Sequence, residues 1–138
     1  MADSTDVTAG TNATATQYNN LRKDVVLAQC VMGTETYGST VTIDWSDKTK
    51  GKIRTITLAG NPQLAFTNAV VGHAMLIRFI QGGAGGYTPV WPGSPISIKW
   101  PGGSAPPMTT TVGKIDAFLL VCTATNTFDG YFAGFGLS

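Results

Sequence analysis

The chain reads as an all-β domain: an antiparallel β-sandwich or barrel of about eight short strands, with an N-terminal arm and one short helix. Three observations predict this. From residue 39 onward apolar and polar residues alternate at period two, the pattern of a half-buried strand. Turn-forming residues, among them 17 glycines and 7 prolines, punctuate those stretches. Only one stretch shows helical spacing, so nothing supplies the repeated crossover helices of a parallel α/β sheet.

The elements follow in order. Residues 1–13 (MADSTDVTAGTNA) are small, polar and aperiodic, and read as a flexible arm. Thr14 then stands three residues before Gln17, the spacing of a capping box, and opens a helix over about Ala15 to Val26. Tyr18, Leu21, Val25 and Ala28 form its apolar stripe. The domain plan is an arm over 1–13, an amphipathic attachment helix over 14–30 and a β-sandwich over 31–138.

Val41, Ile43 and Trp45 alternate with Thr and Asp, which predicts a strand over 40–45. Further strands are predicted over 52–58, 63–67, 73–81, 87–91, 96–100, 114–122 and 128–135, with Thr125-Asn126 turning the chain between the last two. The 73–81 strand carries Met75, Ile77 and Phe79 on one face and Leu76 and Ile80 on the other. It is therefore expected at the centre of a sheet, covered on both sides. Gly82 to Gly86 reads as a mobile hairpin tip returning through 87–91, where Pro89 marks an edge strand.

Composition narrows the function. A length of 138 residues suits one domain, and 43% hydrophobic residues suffice for a core. Charged residues are only 12%, about half the usual share. Two readings account for this: a surface rich in Thr and Gly, or one covered by neighbouring subunits. A net charge of +1 makes no electrostatic case for nucleic acid or an anionic membrane. No apolar run is long enough for a transmembrane helix, and the polar N-terminus does not resemble a signal peptide. Cytoplasmic synthesis is the expectation, with Cys30 and Cys122 as buried free thiols.

Catalytic chemistry has few footholds. His73 is the only histidine, and no serine has the nucleophile-elbow context a triad would need. The carboxylates are scattered singly, without the spacing of a calcium loop. Glu35 and Asp116 would have to meet in space to work as a glycosidase pair, and nothing in the sequence brings them together. The expectation is a non-enzyme without cofactor or metal. Trp45, Trp91 and Trp100, with Tyr87 and Tyr131, offer either core packing, the plainer reading, or a sugar-stacking platform.

Two stretches add a resemblance. The segment from Ala9 to Val25 (AGTNATATQYNNLRKDV) resembles an attachment segment near the start of phage fibre and head proteins. Ile56 to Phe66, Leu76 to Gln81, Lys99 to Gly103, Thr109 to Thr111 and Lys114 to Asp116 are similar to a β-module of phage tail-fibre tips and virion decoration proteins. The resemblance implies a non-enzymatic β-sandwich, a homotrimer, and a place on the virion against the major capsid protein or another virion protein. Fibre modules of this kind end a long shaft, whereas here an arm and one helix precede the domain. A capsid decoration (cement) protein is therefore expected, attached through Thr14, Gln17, Tyr18, Leu21, Arg22 and Val25. The alternative is a receptor-binding tip that stacks a host glycan on Tyr87, Trp91 and Trp100.

Overall fold

Strand alternation sends every second side chain to one face, and the strands of this chain obey it closely. The computed structural model describes residues 14–17, 19–20 and 32–138. The predicted arm, Tyr18, and the predicted helix beyond residue 20 lie outside the described residues. Within them, residues 15–17 and 19–20 are helical. The capping box forms as its spacing implies: Thr14 N donates to Gln17 Oε1 at 2.7 Å and Gln17 N to Thr14 Oγ1 at 3.1 Å.

Eight strands follow: β1 (Met32–Glu35), β2 (Thr40–Asp44), β3 (Ile53–Leu58), β4 (Gln63–Thr67), β5 (Ala74–Gln81), β6 (Ser97–Lys99), β7 (Ile115–Ala124) and β8 (Thr127–Leu137). They form a six-stranded sheet ordered β1-β3-β5-β7-β8-β6 and a two-stranded sheet of β2 and β4. Their core is shared. Val41, Ile43, Leu64 and Phe66 of the small sheet pack with Ile56, Ile77, Phe79, Phe118 and Phe128 of the large one. Trp45 anchors the seam, with ring centroids 5.9 Å from Phe66 and 5.1 Å from Phe128.

Seven of the eight strands lie where they are expected, β1 being unpredicted, but the pairing corrects the expectation. Only β5–β7 and β7–β8 are antiparallel; β1–β3, β3–β5, β2–β4 and β6–β8 are parallel. The sheets are mixed, and the large one ends at β1 and β6, so no barrel closes. The reason lies in the connections. From β1 to β5 each strand passes to the opposite sheet instead of folding back on its neighbour, so strands of one sheet run the same way. Both β2–β4 and β3–β5 join residues 23 apart, Thr40 to Gln63 and Ile53 to Leu76. The chain thus winds as a short solenoid before β7 and β8 close it with a hairpin. That hairpin turns at Thr125-Asn126, where Asn126 takes φ 56°.

The predicted return strand over 87–91 is a second correction. Val90 makes a single parallel bridge to Gln63 of β4 rather than a ladder with β5. Gly82 to Gly86 is no free tip either: Gly82 N donates to Leu58 O at 3.0 Å, and Gly86 N to Thr110 O at 2.9 Å. The buried Gln81 side chain imitates a strand partner for Tyr87. Its Nε2 donates to Tyr87 O at 2.7 Å, and its Oε1 accepts from Tyr87 N at 3.0 Å.

The arch between β2 and β3 holds the most heavily bonded side chain of the fold. Arg54 is fully buried on the inward face of β3. Its Nη1 donates to Glu35 Oε1 at 2.7 Å, its Nε to Gly51 O at 2.9 Å, and its Nη2 to Asp44 O and Asp47 O at 3.0 and 3.1 Å. One guanidinium therefore satisfies three turn carbonyls that would otherwise be stranded inside the arch. Lys50 Nζ, half-exposed, closes the other oxygen of Glu35 at 2.5 Å. Gly33 of β1 lies so close under Lys50 that any side chain there would strike its backbone.

Two outcomes follow. Arg54→Met should destabilise the fold by about 3–5 kcal/mol, because it strands Glu35 and three carbonyls, whereas Arg54→Met with Glu35→Leu should recover part of the loss; denaturant unfolding measures both. The second concerns acid. Burial pushes the Asp44 and Asp47 carboxyls up, but hydrogen bonds from Asn68 and Ser46, and from Thr49, together with the Arg54 charge, outweigh it and leave both below the usual aspartate value. Groups lowered in the folded state stabilise it above the ordinary carboxylate pKa and lose that contribution as pH falls. Thermal melts should drop below about pH 4, and Asp44→Asn with Asp47→Asn should flatten that limb.

Candidate binding surface

The titratable groups go to structural tasks. Asp116 is buried, and its two oxygens accept from Thr109 N at 2.6 Å, Thr109 Oγ1 at 2.7 Å and Gly136 N at 2.8 Å, tying the loop before β7 to the end of β8. Glu35 belongs to the Arg54 arch. The two carboxylates therefore never share a site, which removes the geometry of a glycosidase pair. His73 is partly buried, and desolvation with the nearby Lys52 charge lowers its pKa. Cys122 is a buried free thiol whose Sγ donates to Ala124 O at 3.4 Å, and burial raises its pKa. Cys30 lies outside the described residues. No group of three or more His, Cys, Asp or Glu able to hold a metal occurs among the described residues.

The aromatic prediction is half met. Trp91 and Trp100 lie side by side at 5.0 Å, edge to face. They continue into Phe79, Phe118 and Phe132 rather than presenting two free faces. Trp100 also lies across Gly130, where a Cβ would meet its ring carbons at 2.5 Å. Tyr87 points elsewhere: its hydroxyl accepts from Ala84 N at 3.4 Å, over the glycine loop. Both tryptophans are half-buried against the core, and the chain of rings reaches solvent at Phe132 and Phe135. Of the predicted attachment residues, Thr14 is exposed and Gln17 half-buried in the capping box. Tyr18, Leu21, Arg22 and Val25 lie outside the described residues.

A surface that the strand reading missed is the outward face of the large sheet. Register places Met32, Ile53, Leu76, Leu119 and Tyr131 in one line across β1, β3, β5, β7 and β8. Met32 is 57% exposed and Tyr131 46%, and the three between them are half-buried. Ile80, Ile115 and Leu137 form a second apolar line. Along the first runs a groove of about 300 Å³ bordered by Lys52, Ile53, Leu76, Leu119 and Ala133. The signal for it was in the sequence: β5 is apolar on both faces. Its inward face meets the core, and its outward face meets no other element among the described residues.

Comparison with protein-family models, with characterised proteins and with solved structures finds no match.

Trp100→Ala should lower unfolding stability by about 2–3 kcal/mol, less than for a fully buried ring, by opening a void over Gly130. If Trp91 and Trp100 instead serve a sugar, Trp91→Ala and Trp100→Ala will lose binding on a glycan array while near-ultraviolet dichroism stays native.

Proposed function

We propose that this chain is a non-enzymatic structural module that works by attachment, in the manner of a capsid decoration protein on a phage virion. The observation that carries the reading is the apolar line from Met32 to Tyr131 on the open face of the large sheet. A continuous line of half-buried apolar side chains, exposed at its Met32 and Tyr131 ends, marks an interaction surface. Burying it against a neighbour is worth roughly 25 cal/mol per Å² before association costs. A chain with 12% charged residues has little else with which to bind. The virion assignment rests on the resemblance of the 9–25 and 56–116 segments. In this reading the two sheets form a small sandwich seated on the shell, the arm and helix reach neighbouring subunits, and the protein associates with itself.

A second reading, a glycan-binding tip, is favoured by the 5.0 Å approach of Trp91 and Trp100. Their packing into Phe118 and across Gly130 leaves less ring face than a sugar platform uses, so attachment is the stronger reading.

Particles assembled with the wild-type chain should show it on the outer shell by cryo-electron microscopy. Leu76→Lys with Leu119→Lys, and separately deletion of residues 1–13, should each remove it from the particle while far-ultraviolet dichroism stays unchanged. Full occupancy with both changes would overturn the reading.

A further inference from the structure

The solenoid part of the fold has two unlike ends. At the far end β5 is paired with β7, and β4 is covered by Val90, whose N donates to Pro62 O at 2.8 Å and whose O accepts from Leu64 N at 2.9 Å. At the near end β1 and β2, consecutive in the chain, are the outer strands of their two sheets, each with a single ladder among the described residues.

The backbone groups of β2 that no strand meets among the described residues can be named. Ser39 O accepts from Gln63 N at 2.9 Å and Trp45 N donates to Thr67 O at 3.0 Å, so the odd-numbered groups face β4. Strand alternation turns the N–H and C=O of Thr40 and Thr42 the other way. The next outward carbonyl, Asp44 O, is already occupied by Arg54 Nη2. Natural sheets guard such edges with lysine, proline or a bulge. Met-Gly-Thr-Glu and Thr-Val-Thr-Ile-Asp carry no lysine or proline, and the one acid of β1, Glu35, is buried. One repeat of 23 residues upstream of Thr40 is Gln17, and residues 17, 19 and 20 are helical.

We infer that this edge is a pairing surface for a second copy of the same chain, antiparallel, about a two-fold axis normal to the sheets. Rotation about that axis lays β2 against its copy and β1 against its copy together. A different protein would need two unpaired edges at the same separation, which a second copy has by symmetry. The occupied Asp44 carbonyl selects the register. Centring the pair on Val41 sets Thr40 opposite the partner's Thr42, so four reciprocal backbone hydrogen bonds use only free groups. Threonines then face one another across the seam, a favourable cross-strand pair. The surface requires no virion component and is distinct from the apolar sheet face. It predicts association by twos, where the phage resemblance implies threes.

The test is sedimentation equilibrium of the full chain with hydrogen exchange at single-residue resolution. The expected result is a concentration-dependent dimer in which the amides of Thr40 and Thr42 are protected and exchange freely on dilution, while Val41 and Ile43 stay protected throughout. Thr42→Pro removes an outward N–H and should give a monomer with an unchanged dichroism spectrum. Should that variant misfold, the amide pattern of the wild type decides alone. Three results would overturn the inference: a monomer at every concentration, a trimer in which Thr40 and Thr42 exchange freely, or protection of those amides that persists in the monomer, which would mean that the chain covers its own edge. Failure of this dimer leaves the attachment of the sheet face to a particle untouched, because the Leu76 and Leu119 variants report on that alone.

Discussion

The buried guanidinium of Arg54 is the interaction on which the architecture turns. A chain that crosses from one sheet to the other between β2 and β3 must leave turn carbonyls pointing into its own arch, where water cannot serve them. Arg54 serves three of them and pairs its charge with Glu35 of β1. Through that carboxylate the side chain of β3 also seats β1, and Lys50 closes the pocket from outside. A charge so placed is tolerated because each of its three nitrogens is hydrogen-bonded and its charge is paired with Glu35. Its worth lies in choosing the arch over a hairpin, and hence parallel over antiparallel pairing.

The same device recurs wherever this fold departs from simple ladders. Gln81 stands in for a strand partner of Tyr87, and Asp116 collects donors from Thr109 and Gly136. Each is a buried polar side chain that pins a loop by bonding backbone. The consequence for function is direct. Glu35 and Asp116, the two carboxylates weighed as a pair, are each engaged in holding a loop.

Much of this was legible in the sequence. The alternation of Val41, Ile43 and Trp45 named the buried side of β2 correctly, whereas β5, expected to be covered on both faces, fully buries only Met75, Ile77 and Phe79. The capping box of Thr14 with Gln17 and the turn at Thr125-Asn126 were written in local residue types. The β1 strand was missed because its inward positions are Gly33 and Glu35. Neither looks apolar: one must be small to pass under Lys50, and the other is buried only because Arg54 meets it.

The sequence by itself determined the approximate positions of seven of the eight strands and the capped helix start, because these depend on neighbours a few residues away. Tertiary structure decided which strands pair, in which direction, and where each buried polar group finds its partner. Period-two alternation assigns a side chain to a face but says nothing about which strand lies alongside. That choice depended on Arg54 reaching residues 3 to 19 positions away in the chain. It also settled that β5, apolar on both sides, would meet the core with one face while its other face meets no further strand among the described residues.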